Sequence, residues 1–201
     1  MDLEGLVEHA NKWEASADQV IANPNIETSY MENNEQYGLL YDKFFVRAGK
    51  LFDTAAAWYI VAGKPDDAKR VLTKSQELSY KLKKVCENTV AQSGINTEGI
   101  VKRFEQERML NQKLALVSES GEELSGFFAR IAEDPLVRDY AGLVVRREQL
   151  GTEPKYPPQF IKYIEKQVKA SFGEVERFHL LFSEPDALDA LRYAALSSKI
   201  K

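Results

Sequence analysis

The sequence predicts an all-α fold, a helical bundle or short helical array of six to eight helices around one central hairpin. Three observations predict it. Between Tyr37 and Ala62, apolar residues at Leu40, Phe44, Ala48, Leu51, Ala55, Trp58 and Ala62 recur by threes and fours, which is one face of a helix. A second row, Tyr37, Tyr41, Phe45, Phe52, Ala56 and Tyr59, lies beside the first, so this helix needs neighbours on more than one side and belongs at the centre. Finally, no run joins β-branched residues to strict alternation, so no strand is expected.

The hairpin turns at Gly63-Lys64-Pro65. Gly63 suits the left-handed residue that closes a helix, and Pro65 suits the first turn of the next, where its missing N–H costs nothing. Asp66 and Asp67 then place negative charge at the positive end of the second helix. That helix is amphipathic to about Gln92. Ala68, Val71, Leu72, Ser75, Leu78, Leu82, Val85 and Cys86 share one side; Arg70, Lys74, Glu77, Lys81 and Lys84 share the other. Lys74/Glu77 and Glu77/Lys81 have the spacing of helical salt bridges.

Residues 49–82 resemble a single tetratricopeptide-type helical hairpin. With Gly63 as its turn glycine, Phe52, Ala55, Ala56 and Tyr59 match the motif's first helix, and Ala68, Leu72 and Ser75 its small–large–small second helix. Tyr80 stands where the motif places proline, and no second copy lies one 34-residue period away. The resemblance implies a protein-binding helical surface.

The remaining elements follow in order. Leu3, Leu6, Ala10, Trp13, Ala17 and Val20 form a heptad-like stripe on a first helix, residues 2–22, placed to dock on the hairpin. Asn23-Pro24-Asn25 ends it, and a polar loop runs to Gln36. After Ser93-Gly94, Asn96 or Thr97 can cap a helix with Ile100, Val101, Phe104, Leu110, Leu114 and Val117 on its apolar side. Ser118 to Gly121 is expected to interrupt it, with a capping box at Ser120 and Glu123 restarting a short helix to Ile131. Asp134-Pro135 opens a helix to about Gln149, apolar at Val137, Tyr140, Ala141, Val144 and Val145. Gly151 to Pro158 is the candidate subdomain boundary in an otherwise single domain, 1–201. Phe160, Ile164, Val168, Phe172, Val175, Phe178 and Phe182 predict one long stripe, and Ser183-Glu184-Pro185-Asp186 turns into a last helix with Leu188, Leu191 and Ala195.

Composition narrows the function. Hydrophobic residues at 44% and charged residues at 29% describe an ordinary globular chain. A net charge of −4 argues against a dedicated nucleic-acid binder. The longest uncharged runs, such as Thr54 to Gly63, are too short to cross a bilayer, which argues against a membrane partner. The start Met-Asp-Leu-Glu lacks the pattern of a signal peptide, and the one cysteine excludes an internal disulfide, so the expected location is cytoplasmic.

Catalytic signatures are missing. No phosphate-cradling glycine loop, nucleophile elbow or cysteine–histidine zinc set occurs, and no cofactor or metal is expected. Glu176 and His179 share a helical face as in di-iron bundles, but the pairing occurs once, since His9 follows Glu8 directly. Cys86 has no histidine near it in sequence and reads as a small core residue. Trp58 and Tyr59 read as core rather than pocket. Arg70, Lys74, Lys81 and Lys84 make a basic stripe that would favour an acidic peptide or protein segment, with self-association as the other outcome. Arg146-Arg147, with Arg138, is a second basic spot. Two function classes stay open: a non-catalytic interaction module or assembly subunit, and an enzyme or small-ligand binder with a bundle-core pocket. A nucleic-acid-associated subunit is a third.

Overall fold

A computed structural model describes residues 3–22, 47–93, 97–140, 143, 158–173 and 180–181, and over 81–93 and 97–104 it describes the helical backbone. These residues form six helices and no strand. They are α1 (Leu3–Ile21), α2 (Arg47–Val61), α3 (Pro65–Ser93), α4 (Thr97–Ala132), α5 (135–140) and α6 (Pro158–Phe172). The fold is all-α, a short helical array. The expected helix start at residues 37–46, the Gly151–Pro158 boundary (except Pro158), the end of the Asp134 helix and the last helix lie outside the described residues.

α2 is the centre of the array, as its two apolar rows require. Every residue from Ala55 to Ala62 is buried, and α1, α3 and α4 all pack on it. The corner after it closes as a Schellman motif. Gly63 has φ 71°, the Lys64 N–H donates to the Tyr59 carbonyl at 2.8 Å, and the Gly63 N–H donates to the Ile60 carbonyl at 3.0 Å. α3 then buries Ala68, Val71, Leu72, Ser75 and Leu78, the expected face, and continues past Tyr80. α1 docks on α2 through Leu6, Ala10 and Ala17, all essentially without solvent contact.

α4 differs from its expected form: one helix runs through Ser118–Gly121 without interruption. The small residues there serve tertiary contact instead of capping. A methyl group at Gly121 would lie 2.8 Å from the Pro65 Cβ, so only glycine lets α4 cross the hairpin corner this closely. One turn on, the Ser125 hydroxyl donates to the Ile60 carbonyl at 3.0 Å, and Leu124, Phe127, Phe128 and Ile131 bury the rest of the face.

α5 starts as expected. Asp134 Oδ1 accepts the N–H groups of Leu136 (2.9 Å) and Val137 (3.4 Å), an N-cap ahead of Pro135. The Tyr163 hydroxyl of α6 donates to the other Asp134 oxygen, tying α6 to this turn. α6 buries Phe160, Ile164 and Val168 but ends at Phe172, where Gly173 takes φ 73°. Gly173 thus closes α6 as a glycine C-cap, and Val175, Phe178 and Phe182 of the expected stripe lie outside the described residues.

Candidate functional site

The main polar cluster of the described residues lies at the junction of α1, α2 and α3. It is built on Glu14, which is only 9% exposed and lies between Ala10 and Ala17 on the inward face of α1. The two alanines leave room for a carboxylate to reach the hairpin. Arg70 of α3 holds it with both arms, Nη1 to Oε1 at 2.6 Å and Nη2 to Oε2 at 2.9 Å. Lys74, one turn later, donates to Glu14 Oε1 at 2.7 Å and to Asp18 Oδ2 at 3.0 Å. Acids at 14 and 18 thus face bases at 70 and 74, so α1 and α3 run parallel with their helical repeats in step. Tyr59 of α2 closes the cluster, its hydroxyl 2.8 Å from Glu14 Oε2 and 2.6 Å from the Asn11 side-chain amide. Both are acceptors, the Glu14 carboxylate oxygen and Asn11 Oδ1, and the one phenol proton is shared between them. The Arg70 guanidinium also lies 5.8 Å from the centre of the Tyr59 ring.

These contacts shift the titration of four members of the cluster. The Arg70 hydrogen bonds hold the Glu14 carboxyl down at about 2, against its burial. Burial and the Glu14 hydrogen bond push the Tyr59 phenol up to about 12. Arg70 is pushed further up by Glu14; Lys74 rises too, its bonds to Glu14 and Asp18 outweighing its burial. Each shift favours the form that makes these bonds, and the cluster ties α1, α2 and α3 together.

Arg70 and Lys74 were read from sequence as partner-binding; they are bonded to α1, with side chains 45% and 37% exposed. Lys74 directs its ammonium to Glu14 and Asp18, across the helix interface, in place of the expected partner Glu77. Lys81 and Lys84 lie further along α3. Trp58 and Tyr59 are both buried, as expected. Glu176, His179, Arg146 and Arg147 lie outside the described residues, and Cys86 lies on the described backbone of α3. Among the described residues no three His, Cys, Asp or Glu side chains are grouped to hold a metal.

A different kind of surface lies where α3 and α4 run side by side. The Gln76 amide donates to Asn111 Oδ1 at 2.9 Å, which sets the antiparallel register. One turn on along α3 and one turn back along α4, that register places Tyr80 level with Glu107. Tyr80 is 58% exposed and Met109 47%. A shallow hollow lined by Glu107, Arg108, Asn111, Gln112 and Ala115 runs along the same stretch of α4. Sequence reasoning missed Met109 because it falls outside the apolar stripe of its helix. No helix among the described residues is long and apolar enough to cross a membrane.

Comparison with known proteins adds no relative: no family model, no curated protein and no solved structure matches the chain.

Proposed function

We propose that the chain is a non-catalytic helical interaction module that binds a protein segment on the face shared by α3 and α4. The observation that carries this reading is Tyr80, a large residue exposed to solvent where two long helices run side by side, level with the hollow along α4. Tyr is enriched at protein interfaces, where a phenol adds area with few torsions to freeze. The clamp around Glu14 supports it from the other side, since the ionisable groups drawn together in the fold are occupied with structure. The Gln76–Asn111 bond and the hollow beside it supply polar groups for the rim of such an interface.

The segment that fits is acidic. Arg70 and Lys74 would have to leave Glu14 and Asp18 to meet it, so recognition of acid falls to Lys81 and Lys84, which follow Tyr80 on α3. The tetratricopeptide-type resemblance of residues 49–82 agrees with a helical groove for a peptide, and self-association through the same face is the other outcome.

The test is capture by the immobilised chain. Tyr80→Ala should leave helicity and melting unchanged and release proteins or peptides retained by the wild type, a loss of about tenfold or more for an interface anchor. Equal retention by both chains would overturn the reading.

A further inference from the structure

The two tryptophans of this chain, Trp13 and Trp58, both touch one histidine. The Trp13 indole N–H donates to His9 Nε2 at 3.0 Å, one turn away on α1. The His9 ring also stands edge-on to Trp58 of α2, with ring centres 4.5 Å apart and planes at 73°. The imidazole therefore sits in the seam between α1 and α2, half-buried between the rings. For Nε2 to accept a bond, the neutral ring must carry its proton on Nδ1.

We propose that His9 is a proton-sensitive latch: protonation at Nε2 breaks the bond from Trp13 and loosens α1 from the central hairpin. The chemistry is direct. An imidazolium has a donor on each nitrogen, so a second proton sets an N–H against the indole N–H where an acceptor stood. The charged ring must also lose water on one side to stay in the seam. Two charged groups flank it from α1. Lys12 lies beside it, and Glu8 is drawn to Lys12 by an ion pair of 3.3 Å, leaving little of its field for the ring. From α2 the facing group is Trp58, which carries no charge. Its π face attracts cations and opposes the latch. Burial, and after it the charge of Lys12, pull His9 below the usual histidine value.

The sign follows. A base whose folded pKa is depressed binds fewer protons folded than unfolded, so stability rises with pH across that interval. The latch is fully closed above about pH 6.5, the unfolded value, and opens as pH falls from there towards the folded value. Opening would uncover the face of α2 that Leu6, Ala10 and Ala17 cover, close to the Glu14 clamp. The clamp itself keeps its charges through this range, with Glu14 held at about 2.

Because both tryptophans touch His9, intrinsic fluorescence of the whole chain reads the event. The expected result is a change in emission with a midpoint below 6.5, together with a fall in melting temperature of about 2–4 °C between pH 7.5 and 5. His9→Gln keeps an acceptor for Trp13 without a titrating ring, and should abolish both changes. In the unmodified chain, a proton-NMR titration of the two histidines, with His179→Gln to assign them, measures the His9 value even if His9→Gln folds poorly. A His9 value at or above 6.5, or the same fluorescence and melting response in wild type and His9→Gln, overturns the latch.

Discussion

At the scale of single residues, Glu14 determines how α1 is held. It was not legible in the sequence, because an acid beside Trp13 reads as the solvent edge of a stripe. The clue was its place between Ala10 and Ala17, with Arg70 and Lys74 spaced one turn apart elsewhere to receive it. Pairing across helices is a tertiary fact, and local spacing pointed Lys74 to Glu77. Trp58 and Tyr59 were legible as core because burial follows from a helix apolar on two sides. Glu14→Gln keeps the shape of the side chain and removes the charge that Arg70 and Lys74 share. The expected loss is about 1.5–3 kcal/mol, the range for hydrogen bonds to charged groups, because both bases keep enough solvent contact to rehydrate. The pH dependence has a definite sign. Glu14 titrates near 2 when folded and near 4.5 when unfolded, so its contribution is complete above about 4.5 and is lost as pH falls towards 2. Urea melts at pH 7 and pH 3 should show this loss in the wild type and a smaller one in Glu14→Gln. Equal losses would show that other carboxylates carry the acid sensitivity.

At the scale of elements, the hairpin corner and the Asp134 cap were legible because glycine, proline and aspartate act there on their own backbone or the next turn. The path of α4 was not. Ser118, Ser120 and Gly121 have a local reading as an interruption and a tertiary reading as a close crossing, and the distinction depends on Pro65, far away in sequence. Gly121 and Gly126, both within α4, predict opposite outcomes for one substitution. Alanine favours a helix over glycine by about 1 kcal/mol. At Gly126 the nearest obstacle to a methyl group is the mobile end of Arg130 at 3.5 Å, so Gly126→Ala should stabilise by about 0.4–1 kcal/mol. At Gly121 the obstacle is the ring of Pro65 at 2.8 Å, which cannot swing aside. Overpacking costs about 1–3 kcal/mol, so Gly121→Ala should be net destabilising. Denaturant melts of the two variants giving the same sign would mean that the α4 crossing is looser than its contacts.

At the scale of the whole molecule, α3 does two jobs along its length. By residue count it is about 43 Å long, so its first half clamps α1 and α2 while its second half runs on beside α4. The basic stripe read from the sequence is divided by this geometry. Its first two members, Arg70 and Lys74, are joined to Glu14 and Asp18, whereas Lys81 and Lys84 belong to the half that carries Tyr80. Periodicity could place all four on one side of a helix, but not say which part of that side another helix would cover. Two double reversals separate the jobs. Arg70→Glu with Lys74→Glu sets four carboxylates against one another at the α1 seam and should cost more than about 2 kcal/mol, since breaking an ion pair leaves the buried member uncompensated. Lys81→Glu with Lys84→Glu should change stability by no more than about 0.5 kcal/mol, as ordinary surface substitutions do. The second variant should instead weaken capture of acidic segments, and wild-type capture should fall as salt is raised towards 0.5 M, where exposed charges are screened. Stability and capture would then be lost by different pairs on one helix. If Lys81→Glu/Lys84→Glu captures as well as wild type while Tyr80→Ala does not, the interface is apolar and its partner need not be acidic. If both variants capture normally, the shared face of α3 and α4 is solvated surface.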